Sequence, residues 1–94
     1  MIPRIEMERR EDGQYDYRVT LESETLYADE GFSAVLACLV SAIEGLAPDV
    51  RAVEVSFQSV ISGTYPLQMV AMHPQQVAQH AADTTASVFE ALSG

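Results

Sequence analysis

The chain has 94 residues, with 14 acidic side chains against 5 basic ones and a formal charge of −9. A typical domain holds roughly 100 to 150 residues, so residues 1–94 are expected to form a single compact domain, and an apolar fraction of 48% excludes a disordered acidic tail. Nucleic-acid binders carry a basic footprint that displaces counterions from phosphates. Here Arg4, Arg9, Arg10 and Arg18 are interleaved with Glu6, Glu8, Glu11, Asp12 and Asp16, which argues against direct binding of nucleic acid and, for the same reason, of anionic membranes.

Taken in chain order, Arg4 to Arg10 reads as a strand with Ile5, Met7 and Arg9 on one face. Tyr15 to Leu21 alternates more cleanly, placing Tyr15, Tyr17, Val19 and Leu21 opposite Asp16, Arg18 and Thr20. Asp12-Gly13 suggests a two-residue turn, but that register sets Glu8 opposite Tyr17 and mixes the faces. A three-residue loop with Gly13 in the left-handed conformation instead pairs Met7 with Tyr17 and Ile5 with Val19, and a longer odd-numbered loop keeps the same parity, so the loop type stays open. It also puts Glu6 opposite Arg18, which is favourable, and Glu8 opposite Asp16, which is not. Thr25 to Ala28 either adds a short third strand or leads into the next helix.

Asp29 is a natural N-cap with Glu30 in the first turn. Phe32, Val35, Leu36, Leu39, Val40, Ile43 and Leu46 then recur at helical spacing, ended by Gly45 and Pro48. Val53, Val55 and Phe57 mark a half-buried strand, and Gln58 to Thr64, which contains Ser62-Gly63, reads as a hairpin loop. Tyr65, Leu67, Met69 and Ala71 alternate as a further strand, which Pro66 places at an edge. Pro74 opens a final helix whose inner side is expected to carry Val77, Ala81, Val88, Phe89 and Leu92. The fold expected is α+β: an antiparallel sheet of four strands, or five with Thr25–Ala28, in the order β-β-(β)-α-β-β-α with two helices on one face.

The longest apolar stretch, from Gly31 to Leu46, is shorter than the roughly 20 residues needed to cross a bilayer. The N-terminus lacks a cationic run followed by an apolar one, so no signal peptide is expected. Cys38, the single cysteine, has no partner for an internal disulfide. These features favour a cytoplasmic protein.

Two features stand above this background. Opposite its bulky stripe, the central helix carries a row of small residues, Ala34, Ala37, Cys38, Ser41 and Ala42, and so needs covering on two sides. Either the Ala-rich C-terminal helix lies on this row, or a second copy of the chain does, as a homodimer. The other feature is the placement of charge. Nine acids and four arginines lie in the first 30 residues, a local charge of −5. With helices on one face of the sheet, Glu6, Glu8, Asp16, Glu22, Glu24 and Glu54 become candidate contacts for a basic partner.

Reactive constellations are sparse. Cys38 lies within an apolar helix, where a buried thiol is the simpler reading than a nucleophile. His73 and His80 are two helical turns apart, too far for ordinary side-by-side chelation. No phosphate-cradling glycine loop, HExxH, CxxC or GxSxG motif occurs. The residues name no catalytic group, no cofactor and no metal site. The Glu11-Asp12-Gly13 hairpin followed by an acidic-capped helix resembles the small HicB-type antitoxin domain. Leu26-Tyr27-Ala28 stands where that family has a proline-glycine-cysteine segment, and no function is carried across. The reading that follows is a non-enzymatic acidic module that occupies a basic protein surface, including inhibitors that mimic nucleic-acid charge, as phage anti-CRISPR proteins do. The alternative is a small dimeric structural or regulatory subunit associating through the central helix, its acidity serving solubility.

Overall fold

The computed structural model describes residues 1–93. Strands β1 (Arg4–Glu11), β2 (Gln14–Leu21) and β3 (Glu24–Phe32) precede helix α1 (Val35–Glu44). Strands β4 (Ala52–Phe57) and β5 (Val60–Pro66) follow, then helices α2 (Leu67–Met72) and α3 (Pro74–Ser93). The α+β class is as expected, but the sheet is mixed and has five strands, in the order β3-β2-β1-β4-β5. β1 and β4 are parallel, with Ile5 beside Val55 and Met7 beside Phe57. Parallel neighbours require a crossover, and α1 supplies it by carrying the chain from the far edge back over the helix face to β1.

The first hairpin has the register that face parity demands. Ile5 pairs with Val19, Met7 with Tyr17, Glu6 with Arg18 and Glu8 with Asp16. Its tip reconciles both turn readings: Glu11 pairs with Gln14 across Asp12-Gly13, and Arg10 is the extra residue that restores parity. Gly13 is left-handed, with φ +73°.

Four expectations fail for identifiable reasons. Asp29 is no helix cap: Asp29, Glu30 and Phe32 belong to β3, and α1 starts only after Ala34, with no side-chain cap. Pairing with β2 wins over local capping, and Gly31 (φ +88°) takes up the irregularity between Tyr15–Phe32 and Asp16–Glu30. The presumed loop from Gln58 to Thr64 is a two-residue turn, Gln58-Ser59, with β5 starting at Val60 and Ser62 as a bulge residue. The alternation from Tyr65 to Ala71 does not make a strand, because β5 ends at Pro66 and Leu67–Met72 is helical. Leu, Gln, Met and Ala are good helix formers, and one buried residue, Val70, suffices to seat this short helix. The inner stripe of α3 also stops early: Val77 and Ala81 are buried, whereas Val88, Phe89 and Leu92 are exposed.

The core lies between the sheet and the helices. Ile5, Met7, Val19, Val53 and Val55 meet Cys38, Leu39, Ala42, Val70, Val77 and Ala81, all completely or almost completely buried. Tyr17 donates or accepts a 3.0 Å hydrogen bond with Ser41, and the Tyr27 hydroxyl donates to the Ala42 carbonyl, so α1 is tied to β2 and β3 by phenols. Gly45 ends α1 at ordinary negative φ. Its lack of a side chain matters for clearance, since a Cβ there would lie 2.8 Å from the Tyr27 ring. Thr85 pins α3 to the end of β4 through a 2.8 Å hydrogen bond to the Phe57 carbonyl.

Two hairpin turns use side-chain-bearing residues where glycine or asparagine is usual. Glu22-Ser23 has φ +53° and +70°, and Gln58-Ser59 has +50° and +68°, the pattern of type I′ turns. Left-handed backbone costs a non-glycine residue about 1–2 kcal/mol, partly offset by the unfolded-chain entropy that a glycine brings. Ser59→Gly is therefore expected to raise unfolding stability by about 0.5–1 kcal/mol, measurable as a higher urea midpoint at unchanged slope.

Candidate functional site

The face of the sheet opposite the helices carries the charge, and strand pairing arranges it in rows across the strands. In the first row Thr64, Glu54, Arg4, Thr20 and Thr25 stand side by side. The second contains Ile61, Ser56, Glu6, Arg18 and Ala28. The third is Glu8, Asp16 and Glu30, three carboxylates on three adjacent strands. Neighbouring strands lie about 4.8 Å apart, close enough for each row to act as an electrostatic unit.

The first two rows are internally compensated. Arg4 pairs with Glu54, and Arg18 donates two hydrogen bonds to Glu6 Oε1, at 2.9 and 3.1 Å. Thr20 donates to the other Glu6 oxygen at 2.9 Å. Burial works against the Glu6 carboxylate, but the Arg18 and Thr20 hydrogen bonds and the charges of Arg18 and Arg4 outweigh it and hold its pKa below the ordinary value.

In the third row Arg10 pairs with Asp16. The Asp16 hydrogen bond and charge, reinforced by Glu8 and Glu30, raise the Arg10 pKa. Glu8 has no ion-pair partner among the described residues. Burial, together with the charges of Asp16 and Glu6, pushes its pKa up despite Arg10 and Arg18. Directly opposed like charges destabilise a sheet, and this row tolerates them. It lines a concavity of about 590 Å³ whose walls also include Glu6, Ala28 and Asp29 and the two arginines Arg10 and Arg18.

No family model, curated protein or solved structure matches the chain. The acidic helix cap that contributed to the HicB-type resemblance is absent, since Asp29 is a strand residue. The site is therefore read from its own geometry.

Of the acids expected to meet a partner, Glu6, Asp16 and Glu54 are each held by an arginine, and Glu8 has no ion-pair partner among the described residues. Glu22 lies in the exposed turn before β3, and Glu24 is exposed at that strand's start. The structure adds Glu30 to the row and places Asp29 beside it on the same edge strand. Both were hidden by the helix-cap reading; the signal was Gly31, a bulge residue rather than a helix residue. The acids of this face without an arginine partner among the described residues are thus Glu8 on the central strand and Glu30 on the β3 edge.

The small-residue row is occupied within the chain. Cys38 and Ala42 are fully buried, Ser41 engages Tyr17, Ala37 is half-buried and Ala34 is exposed. A second copy could not reach Cys38 or Ala42 without opening the monomer. The sheet, through Tyr17 and Tyr27, meets this row directly. Burial, with the charges of Asp16 and Asp29 behind it, pushes the Cys38 thiol up to about 11, a poor starting point for a thiolate. His73, between α2 and α3, and His80, on α3, are both exposed. Among the described residues no three His, Cys, Asp or Glu side chains converge as metal ligands, and no helix is long and apolar enough to cross a membrane.

The two outward glutamates of β1 have opposite linkage to folding. The raised Glu8 pKa means that the folded state holds this proton more tightly than the unfolded chain. Ionising Glu8 therefore lowers stability as pH rises from near 4.5 through its folded pKa. For Glu6 the folded pKa is depressed, so its stabilisation is present above the unfolded value and lost as pH falls through the folded one. Glu8→Gln is expected to be more stable than the parent at pH 7, by about 0.2–1 kcal/mol. That advantage should shrink towards zero as pH falls below 4.5, in urea titrations of both proteins across pH.

Proposed function

We propose that this chain is a non-enzymatic acidic module that docks onto a basic surface of a partner protein, acting as an inhibitor that mimics nucleic-acid charge, as phage anti-defence proteins of the anti-CRISPR kind do. The observation that carries this reading is the carboxylate row Glu8–Asp16–Glu30, in which, among the described residues, only Asp16 has an arginine partner, ending on a strand that also exposes Glu24 and Asp29. A line of carboxylates at strand spacing offers a basic groove regularly placed negative charge, as a phosphate backbone does. The mechanism is steric and electrostatic. The acidic field steers the encounter and orients it, and occupation of the groove excludes its normal ligand.

A subunit that associates through a helix is the second reading. The observation favouring it is the exposed stripe Val88, Phe89 and Leu92 on the outer half of α3, in place of the small-residue row of α1. Charge reversal on β1 and β3 would leave such an association intact.

Reversing Glu6 or Asp16 would disturb Arg18 or Arg10 as well as any partner, so the informative variant is Glu8→Lys combined with Glu30→Lys. Immobilised wild-type protein is expected to retain a defined set of basic proteins from native lysate at low salt and release them at high salt, because exposed charges more than about a Debye length of 10 Å apart are screened at 0.1 M. The double variant should lose at least nine-tenths of that capture while keeping its circular dichroism. Capture that ignores salt, or that survives in the double variant, overturns this reading.

A further inference from the structure

β3 is an edge strand of nine residues, and it packs against β2 and α1 and no other element. Its outer side therefore presents backbone donors and acceptors without a strand to meet them, the usual template for pairing with another chain. One edge donor, the Glu30 amide, is taken by the neighbouring Asp29 carboxylate at 2.8 Å. Bulges at Leu26 and Gly31 leave Tyr27 to Glu30 as the regular stretch. Alternate residues of a strand point outward, so this stretch offers about two outward residues. Backbone pairing alone is then a weak grip, and side chains must supply most of the selectivity.

Those side chains differ on the two faces. On the helix side, the start of the edge opens into an apolar hollow of about 550 Å³ whose walls include Leu26, Tyr27, Leu46 and Val50. On the open side, the end of the edge runs into the concavity of the carboxylate row. Asp29 lies in register with inward-facing Tyr17, and Glu30 with outward-facing Asp16, so a carboxylate flanks the edge on each face. A second copy of this chain is the wrong occupant, since two β3 edges would bring these acids together in a protein of charge −9.

Resting on the reading of the chain as a binder of basic protein surfaces, we propose that the binding element is the β3 edge, which takes up an extended, lysine- or arginine-bearing segment of the partner as a sixth strand. One apolar side chain of that segment enters the Leu26–Tyr27 hollow. Its basic residues, which alternate in face, meet Asp29 on one side and Glu30 on the other. Peptide-accepting sheet edges work in this way: main-chain hydrogen bonds give affinity and pockets for alternate side chains give selectivity.

The test uses an octapeptide with lysines on both faces of the strand and one valine on each, Lys-Lys-Val-Lys-Lys-Val-Lys-Lys, acetylated and amidated at its ends, and the same peptide N-methylated at every amide, which keeps the charges but removes the strand donors. The parent peptide is expected to bind at low salt and to slow amide exchange in β3, with no such slowing in β5. Its affinity should exceed that of the N-methylated peptide at least tenfold, and Asp29→Lys with Glu30→Lys should weaken it at least tenfold while leaving the circular dichroism unchanged. Equal binding of the two peptides overturns the edge inference and leaves the acidic-surface reading standing, as charge alone would then suffice. Failure of the parent peptide to bind, or protection confined to another strand, also overturns the edge inference, and salt-dependent capture of whole basic proteins then decides the broader reading separately.

Discussion

Everything in this molecule is referred to β1, the central strand of the five, with an antiparallel neighbour on one side and a parallel neighbour on the other. A central strand cannot slip by one residue without sending its whole inward set to solvent. Ile5 and Met7 are therefore committed to the core and Glu6 and Glu8 to the open face. Once that is settled, the two glutamates have different fates for a geometric reason. Glu6 lies between Arg18 and Ser56, within reach of Thr20, and its charge is answered. Glu8, one pleat further on, faces Asp16, and beyond Asp16 lies Glu30. Two residues of displacement along a single strand separate a compensated surface from an uncompensated one.

The parallel pairing of β1 with β4 also dictates the other side of the sheet. The chain must return from the far edge at β3 to the middle, and α1 is the return path. Its small residues are the consequence: Ala42 and Gly45 let the helix sit on the Tyr27 ring, and Cys38 and Ser41 accommodate the neighbourhood of Tyr17. A row that resembles a dimer seam in one dimension is thus the seat of two tyrosines in three. Helix α3 covers what α1 leaves, over β4 and β5, and its cover ends at Thr85 where β4 ends. The apolar residues beyond that point continue the helical stripe after the surface it was packing against has run out.

How much of this was legible depended on the range of the controlling interaction. The register of the first hairpin is readable because it follows from face parity within a span of about 18 residues, but the turn is not: it is the two-residue Asp12-Gly13 turn that parity argues against, and a bulge at Arg10 restores the parity. The extent of β3 was not readable, because Asp29-Glu30 before an apolar stripe is a sound local helix-start signal. Only pairing with β2, and a bulge at Gly31, overrides it. The converse holds at Leu67–Met72, where period-two alternation suggests a strand although the residue types favour a helix and the sheet ends at Pro66. The parallel β1–β4 contact lies beyond any local signal. For the site, residue types were visible at once, but pairing was not: Arg4 meets Glu54 across a sequence separation of 50 residues, and only the assembled sheet shows which acids that leaves free.

The distribution of free charge bears on energetics as much as on recognition. Placed at the centre of the sheet, opposed carboxylates would weaken strands on which the whole core depends. Here the row runs from Glu8 on β1 through Asp16, whose charge Arg10 answers, to Glu30 on β3, the strand that touches the fewest other elements. Such an edge is expected to open locally at lower free energy than the body of the fold. Anything that neutralises Asp29 and Glu30 removes part of the repulsion that loosens β3, so binding of a basic chain and ordering of this edge draw on the same free energy. The charge that costs the free protein stability at β3 is then recovered when a cationic partner binds. An acid row assigned only to solubility would carry that cost without return, since equally soluble positions are available on the exposed faces of α3.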